Sequence, residues 1–302
     1  MANSVETLPV PQALPRPWRV PTMARVALRF ARRKPLGAIG GVIVLALLVM
    51  AVFANQIAPY SYEQSIRGAR MKPPSAQFWM GTDNISRDVW SRVVYGARIS
   101  VTVGFATVAL ATLIATAIGV SSAYLGGAYD IVVQRVVDAW MSFPALVVIL
   151  SLIAALGPGL LNLILALSIL GAASASRVIR GAALSVIANP YVEAARALGA
   201  GDAAIIFRHI VPNTLGPVIV YTTLTVPAVI LQEAFLSFLG LGVQPPAASW
   251  GTLVSDGARL LALFPWLVFF PGLALSLTLF CFNFLGDGLR DALDPQDRRE
   301  AA

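Results

Sequence analysis

Long stretches without a charged side chain constrain this sequence more than any other feature. The longest, residues 139–176, is 38 residues without Asp, Glu, Lys or Arg. As one α-helix it would extend roughly 57 Å, at about 1.5 Å per residue, whereas the hydrocarbon core of a bilayer is about 30 Å thick. The stretch therefore predicts two membrane crossings, and Gly157-Pro158-Gly159 supplies the turn between them.

Further charge-free stretches predict four more crossings. Only 12% of the residues are charged, about half of the usual share in a soluble protein. The predicted fold class is an all-α membrane protein with six transmembrane helices. A cytoplasmic tail is expected at 1–35, a transmembrane domain at 36–288 and a second cytoplasmic tail at 289–302. The six spans are expected at about 36–57, 99–124, 137–156, 160–178, 214–240 and 263–285.

The distribution of Lys and Arg predicts the orientation. With the N-terminus in the cytoplasm, fifteen of the 22 basic residues lie on the inner side and seven on the outer side. We therefore expect both termini to be cytoplasmic. The basic stretch before the first span also carries apolar residues at helical spacing: Met23, Val26, Ala27 and Phe30. Two interpretations stay open, a short amphipathic helix on the inner membrane surface and a plain basic flank of the first span. In either case membrane lipid accounts for much of the net charge of +7, and no nucleic acid is required.

Rare residue types exclude several functions. Cys281 is the only cysteine and His209 the only histidine, which excludes an internal disulfide and any metal centre built from several Cys or His residues. Lys34 and Lys72 each precede proline, so the chain has no Gly-Lys-Ser/Thr loop for a nucleotide phosphate. We expect no catalytic residue, no metal and no cofactor in this chain. Any ATP that it uses is expected to be hydrolysed by another chain.

The cytoplasmic segment 177–213 is the most informative part of the sequence. Asn189-Pro190 predicts the start of a helix, with the asparagine as its N-cap. Gly199 predicts the end of that helix, and Asp202 is expected to cap a second helix that stops before Pro212. From the pattern alone two interpretations are open. The segment is either a surface loop folded on itself or a projection that docks into a cytoplasmic partner.

The residues of this segment resemble the EAA loop of ABC importer permeases, which contacts the ATPase subunit. Glu193-Ala194-Ala195 is followed after three residues by Gly199, and HIVPN follows at 209–213. The resemblance implies that the segment docks, with Glu193 and Gly199 central to the docking helix. The docking residues that it implies are Tyr191, Glu193, Ala194, Ala195, Gly199, Ala200 and Asp202.

Three further segments extend the resemblance over about residues 30–297. They are GTDNISRDVWSRVVYGARIS at 81–100, FLSFLGLGVQPPAASWG at 235–251 and FNFLGDGLRDALDP at 282–295. All three are similar to segments of the dipeptide/oligopeptide/nickel branch, specifically of its C-type permease subunit. The sequence departs from that pattern at Ser86, where glycine is usual before Arg-Asp. It also departs at 172–176, where a tryptophan is often found.

Each of these segments predicts local structure by itself. Asp83 is expected to cap a helix that begins near Ile85. Pro245-Pro246 and Trp250 are expected to form an outer turn with an aromatic side chain at the membrane interface. The charges at 287–291 predict a solvated, self-paired helix end.

Glu233 is the main charged residue expected within a span. It follows Pro227, which is expected to interrupt the fifth helix. A charged side chain at the centre of the bilayer costs about 2.5–3.5 kcal/mol on insertion scales, so Glu233 needs a partner or water. Two interpretations stay open. With Phe235 and Ser237 it lines the translocation path or a gate, or it is a structural pair with an arginine or a free backbone N–H.

The resemblance implies a type I ABC importer permease fold (MetI-like) in the bacterial inner membrane. It implies a second homologous permease as heterodimer partner, two cytoplasmic ATPase subunits that bind ATP and Mg²⁺, and an external solute-binding protein. Dipeptides or oligopeptides are the implied cargo, although nickel chelates, glutathione and sugars pass through relatives. The alternatives are a stand-alone ion-coupled transporter or channel, which would need buried carboxylates or histidines, and an intramembrane enzyme, which would need a nucleophile–base pair.

Overall fold

The computed structural model describes residues 30–32 and 34–293, and the long elements in that part of the chain are α-helices. Of these, α1, α3, α6, α8 and α10 are long and apolar enough to cross a membrane. The helices are α1 Pro35–Val52, α2 Ala54–Ile57, α3 Val89–Leu125, α4 Gly127–Met141, α5 Ala145–Leu156, α6 Leu160–Ile187, α7 Pro190–Ala197, α8 Asp202–Phe238, α9 Trp250–Ala258 and α10 Trp266–Leu293.

Helices α3 and α6 pack side by side and run in the same direction. The Ser168 hydroxyl of α6 donates to the Thr107 carbonyl of α3 at a distance of 3.2 Å. Further along, Gly119 of α3 lies so close to α6 that an added Cβ would be 2.6 Å from the Ser176 carbonyl oxygen. Because α3 ends at one end of the bundle and α6 begins at the other, the chain must return between them. This return is made by α4 and α5, so the six crossings that the sequence predicts are confirmed.

The third crossing is not the continuous helix that was predicted at 137–156. It consists of α4 and α5, which meet at an angle of 89°. The break lies at residues 142–144 and ends with Pro144. Proline has no N–H for the helical ladder, and its ring disfavours a helical conformation of the residue before it, so helix α4 stops short of Pro144. The turn at Gly157-Pro158-Gly159 lies between α5 and α6, as expected.

Two pairs of charges connect α4 to α6. The Arg180 Nε donates to Asp130 Oδ1 at 2.7 Å, and Arg177 pairs with Asp138. Asp138 also pairs with Arg135, three residues before it, at 3.4 Å. The segment before the bend is therefore held against the end of α6 that leads into α7.

Helix α8 is longer and less interrupted than the sequence predicts. The expected stop before Pro212 is wrong, since the helix runs from Asp202 to Phe238 with a π-helical turn at Ile206–Ile210. A π-turn is wider than an α-turn, and it directly precedes a proline that could not complete a regular α-helical ladder. Pro227 does not interrupt the helix either, because α8 continues through it and through Pro217. One missing ladder bond is tolerated where neighbouring helices support the backbone.

Helix α1 lies along α10 through close backbone contacts. An added Cβ at Gly40 would lie 2.6 Å from the Cys281 carbonyl oxygen. At one end of this pair Lys34 Nζ lies 2.7 Å from Asp291 Oδ2. Asp291 therefore pairs across to α1, where the sequence analysis expected a self-paired helix end. The expected amphipathic residues Met23, Val26 and Ala27, and the tail after residue 293, lie outside the described residues.

Candidate functional site

The segment between α6 and α8 is anchored by a single buried side chain. Helix α7 begins at Pro190 with Asn189 in the N-cap position, as expected. The Asn189 side chain does not cap α7, however, since its Nδ2 donates back to the carbonyl of Ser185 at 2.9 Å. Val192 is 1% exposed and packs in an apolar cluster with Ile205 and other residues of α3, α6 and α8. This contact fixes which face of α7 points away from the bundle.

Gly199 ends α7 through its backbone conformation. Its φ is +83°, in the left-handed region. The Ala200 N–H donates to the Ala195 carbonyl at 3.1 Å, and the Gly199 N–H donates to the Arg196 carbonyl at 3.0 Å. These two bonds form a Schellman motif, which satisfies carbonyls at a helix C-terminus and favours glycine at the left-handed position. Gly199 is thus needed for the turn itself, and an added Cβ would meet only open space.

Asp202 connects the segment to the inner end of α3. It does not cap a helix, because Gly201 holds the N-cap position and Asp202 is the first helical residue. Its Oδ1 accepts a hydrogen bond from the Tyr124 hydroxyl at 2.6 Å. The Arg196 guanidinium lies 5.6 Å from the centroid of the same Tyr124 ring. A displacement of α7 therefore acts on α3 as well as on α6 and α8.

The face of α7 opposite Val192 is exposed, together with the start of α8. Leu198 is 88% exposed and Phe207 is 71% exposed. The sequence analysis did not select either residue. Leu198 lies six positions after Val192, which places it about 240° around the helix at 100° per residue. A prediction that Val192 is buried would therefore have indicated that Leu198 faces outward. The exposed residues form what we call the docking surface: Tyr191, Glu193, Ala194, Leu198 and Phe207. Ala195 and Ala200 are half-buried beside it.

Glu233 lies at the opposite end of α8 and is fully buried. Its Oε2 accepts from the Ser100 hydroxyl at 2.9 Å, and its Oε1 accepts from the Ser237 hydroxyl at 2.7 Å. The predicted pairing with an arginine or a backbone N–H is therefore wrong. Hydroxyls on α3 and α8 hold the carboxyl group, and the Ser249 hydroxyl at the start of α9 lies near it.

The loop between α8 and α9 folds back over this carboxyl group. Trp250 is fully buried, and its Nε1 donates to the Val93 carbonyl at 3.0 Å. The predicted position of Trp250 at the membrane interface is wrong, because the ring packs between α3 and α8. Gly251 allows this return, since an added Cβ would lie 2.2 Å from the Ala234 carbonyl oxygen. Phe235 is 45% exposed on another face of α8 and does not join the cluster around Glu233.

The outer segment before α3 is organised by a different carboxylate. Asp83 Oδ2 accepts from Arg87 Nε at 2.7 Å and from Arg92 Nη1 at 2.9 Å. Its Oδ1 accepts from the backbone N–H groups of Ile85 and Arg87. The predicted helix cap at Asp83 is wrong, because α3 begins at Val89 and is capped by Asp88. Asp83 instead closes a turn and holds two arginines.

A cavity of about 280 Å³ lies between α3, α6, α8 and the bend between α4 and α5. The sequence analysis did not predict it, because its lining depends on how each helix is rotated. Glu233, Phe235 and Ser237 are not among its lining residues, whereas the neighbouring Gln232 is. Their role in a translocation path or gate stays a prediction.

Comparisons with known proteins identify the family. A family model for the inner membrane component of binding-protein-dependent transport systems matches residues 115–299, more than half of the chain. The chain belongs to the ABC importer permeases. A second model, for the N-terminal transmembrane domain of oligopeptide transport permease C, matches residues 22–74.

Several relatives of this permease have names that refer to peptide transport. It is 42% identical over 272 residues to the oligopeptide transport system permease protein OppC of Bacillus subtilis (strain 168), covering 90% of this chain and 89% of the relative. It is also 42% identical over 274 residues to the dipeptide transport system permease protein DppC of the same strain, covering 90% of this chain and 86% of the relative. Its identity is 37% over 284 residues to the glutathione transport system permease protein GsiD of Escherichia coli O6:K15:H31 (strain 536 / UPEC), covering 94% of each chain.

The fold is similar to that of a solved inward-facing structure of the MetNI methionine ABC transporter. The TM-score is 0.56 at 19% sequence identity, covering 67% of this chain and 96% of that chain. The MetI-like fold and the resemblance to the C-type permease subunit are confirmed. The permease is a membrane-spanning subunit of an importer in the bacterial inner membrane, and its family is one of transport subunits rather than enzymes. The stand-alone carrier and the intramembrane enzyme are thereby set aside.

Proposed function

We propose that this permease imports dipeptides or oligopeptides as half of a heterodimer with a second homologous permease. In this proposal two cytoplasmic ATPases supply the energy, and an external solute-binding protein delivers the cargo. The names of the OppC and DppC relatives, each 42% identical to this chain, support a peptide cargo. Glutathione, which the name of a third relative carries, is itself a small peptide.

The docking surface is the part of this permease that we assign to the ATPase contact. The observation that supports this assignment is the exposure of Leu198. This leucine at the tip of a short helix is 88% exposed, so no side chain among the described residues covers it. Burying one leucine side chain in a partner groove is worth roughly 1.5–3 kcal/mol. Glu193 and Ala194 lie on the same exposed part of α7 and would border that groove.

The proposed mechanism is mechanical and requires no chemistry in this chain. ATP binding closes the partner ATPases and moves the docked α7 as a rigid body. The contacts of Val192 with the apolar cluster and of Asp202 with Tyr124 transfer that movement to α3, α6 and α8. We propose that ATP and Mg²⁺ bind only to the partner subunits and that this chain holds no cofactor.

The docking assignment is tested by replacing Leu198 in the assembled transporter. We expect Leu198→Ser to reduce ATPase co-purification and uptake by about tenfold, since the substitution removes roughly 1.4 kcal/mol or more of contact. Leu263→Ser is the matched control, because Leu263 is also a highly exposed leucine, at 73%, in the loop between α9 and α10. Both variants must reach the membrane in normal amounts. Full ATPase binding by Leu198→Ser would refute the assignment.

The role of Gly199 is tested by a pair of substitutions that differ in backbone preference. Asn tolerates the left-handed conformation far better than Val does. We therefore expect Gly199→Val to abolish coupling and Gly199→Asn to retain most of it, measured as uptake and as ATPase co-purification. Equal loss in both variants would show that the space around Gly199 matters more than its φ.

The cargo is tested by uptake of a radiolabelled neutral dipeptide by the complete transporter, with unlabelled competitors. We expect dipeptides and short oligopeptides to compete strongly. Competition by glutathione alone would move the assignment to that peptide, and competition only by a nickel chelate or a sugar would refute a peptide cargo.

A further inference from the structure

The cavity beside the bend between α4 and α5 lies within the span-forming helices. Its volume of about 280 Å³ is near the lower end of the roughly 300–1,000 Å³ that is common for ligand pockets. Trp140, Met141 and Phe143 line it from the bend. The bend creates the space, because α4 turns away by 89° where a straight helix would have packed against its neighbours.

Two buried polar atoms in this lining have no hydrogen-bond partner. They are Thr107 Oγ1 on α3 and Trp140 Nε1 next to the bend. Thr107 is 1% exposed, so its hydroxyl has no access to bulk water. Leaving such a group unpaired costs roughly 1–3 kcal/mol, and native proteins rarely leave such groups unpaired without a reason. Both residues line the same cavity, so one occupant lies beside both side chains.

Most of the lining is apolar, and the few polar side chains in it are uncharged. Tyr221, Thr225 and Gln232 follow one another at helical spacing on the face of α8 that lines the cavity, and Ser174 lines it from α6. Among the described residues that line the cavity, none is Asp, Glu, Lys or Arg. Thr225 already donates to the Tyr221 carbonyl at 2.7 Å, which leaves its oxygen as an acceptor. Such a surface suits neutral groups that both donate and accept hydrogen bonds.

The interrupted backbone points to the same place. Non-helical backbone at membrane depth occurs only where protein buries it or where it lines a water-filled cavity. In transporters, membrane helices broken by glycine or proline form solute sites for this reason. Here the break at Ser142-Phe143-Pro144 borders the cavity directly.

We propose that this cavity is the part of the permease that contacts the transported peptide, through the peptide's neutral amide groups. Trp140 Nε1 donates to a peptide carbonyl, and Thr107 Oγ1 accepts from a peptide N–H, with Gln232 able to do both. Every dipeptide has these backbone groups whatever its side chains, so contacts to them do not depend on which residues the peptide contains. This inference rests on the proposed peptide cargo.

The first test replaces the two unpartnered groups without changing the volume greatly. Thr107→Val with Trp140→Phe removes a hydroxyl and an indole N–H. We expect the number of dipeptides imported per ATP to fall by about five- to tenfold, while the ATPase rate stimulated by loaded binding protein stays within about twofold. The retained ATPase rate shows that the variant is folded and docked.

Matched controls make the same chemical changes elsewhere. Thr278→Val alters an equally buried threonine on α10, whose hydroxyl bonds to the Ala274 carbonyl and which does not line the cavity. Trp90→Phe removes another buried indole N–H without a partner, at the outer end of α3. We expect both controls to keep the wild-type ratio of peptide to ATP. An unchanged ratio in the Thr107→Val, Trp140→Phe variant would overturn the inference.

A second test asks what occupies the cavity. In a Cys281→Ala background, Ser174→Cys gives this chain a single thiol, and that thiol lies on the cavity wall. We expect a small maleimide to label it in the complete transporter and a neutral dipeptide, delivered by its binding protein, to slow that labelling. A thiol that is unreactive with and without the dipeptide would show a protein segment or lipid in the cavity and overturn the inference.

The two proposals fail in different ways. If the wild-type transporter imports no dipeptide, the proposed cargo and this inference are both wrong. If the wild type imports dipeptide and the cavity variants import it equally well per ATP, the cargo stands and only the cavity assignment is wrong.

Discussion

Ser86 adopts a backbone conformation that is normally left to glycine. Its φ is +66°, and this is the position at which the sequence departs from the glycine of the pattern that it resembles. An L-residue in the left-handed region costs roughly 1–2 kcal/mol. The turn persists because Asp83 bonds to the backbone and side chain of Arg87 across it. The sequence departure is therefore a local strain that the surrounding ion pairs outweigh.

Replacing this serine should stabilise the permease. We expect Ser86→Gly to raise the free energy of unfolding by roughly 0.5–1 kcal/mol, because relief of the left-handed strain exceeds the entropy that glycine adds to the unfolded chain. Thermal unfolding of the purified protein in detergent measures the effect. Ser61→Gly is the control, since Ser61 has a negative φ and should gain nothing. An equal gain in both variants would contradict the explanation.

For individual residues, the sequence predicted which ones are unusual more reliably than it predicted the residues that they contact. Glu233 was expected inside a span and is there, yet one of its hydroxyl partners, Ser100, lies on a different helix, which no local spacing encodes. Trp250 was placed at the interface because aromatic residues are common there, but its ring is in the core. Long-range partners depend on helix packing, and a sequence pattern reports only neighbours along one helix.

Among the elements, the pair α3 and α6 depends on a close approach of two backbones. Gly119 makes it possible, since an added Cβ would lie 2.6 Å from the Ser176 carbonyl oxygen and 2.9 Å from the Arg180 nitrogen. Backbone atoms cannot move aside as a side-chain end can. Small residues are typical of such contacts between membrane helices.

Two alanine substitutions in this helix pair should have opposite effects. We expect Gly119→Ala to lower the free energy of unfolding by roughly 1–3 kcal/mol through overpacking. Gly171→Ala, on α6, should be neutral or stabilising by up to about 1 kcal/mol, because the nearest atom to its added Cβ is at 3.6 Å and alanine favours helix. Detergent melting curves of both variants provide the comparison. Similar losses in the two would indicate that Gly119 is not a tight contact.

The prolines show why helix limits were harder to predict than helix number. Pro144 ends a helix, whereas Pro212, Pro217 and Pro227 lie within α8. All four lack an N–H, so the local chemistry is the same. The difference lies in packing: neighbouring helices support the backbone of α8, and a π-turn precedes Pro212. A count of charge-free stretches gives six crossings without this knowledge, but it cannot say where a crossing bends.

For the whole molecule, the order of the helices places the docking surface and the loop before α10 on opposite sides of the membrane. One crossing, α8, separates Leu198 from Leu263. In a Cys281→Ala background we expect a membrane-impermeant maleimide to label Leu263→Cys in intact spheroplasts. Leu198→Cys should react only in inverted vesicles, because the basic-residue bias places it in the cytoplasm. Labelling of Leu198→Cys from outside would reverse the orientation and remove the ATPase docking proposal.

Two whole-molecule features could not be predicted from the sequence. The EAA segment predicted a docking region at 177–213, but the exposure of Leu198 and Phe207 depends on Val192 being the buried anchor. The cavity lined by Thr107 and Trp140 depends on the 89° bend and on the rotation of four helices. Hydropathy specifies that a helix lies in the membrane, and it does not specify which face meets which neighbour.

The unbroken length of α8 has a consequence for transport. Its 37 residues make a lever of roughly 56 Å at about 1.5 Å per residue, with Asp202 at one tip and the buried Glu233 near the other. A tilt of the whole helix by about 5° displaces one tip relative to the other by roughly 5 Å, close to one helical pitch. In the mechanism proposed above, a small tilt imposed at the inner tip would therefore move the buried surroundings of Glu233 directly, without a relay of rearranging side chains across the bilayer.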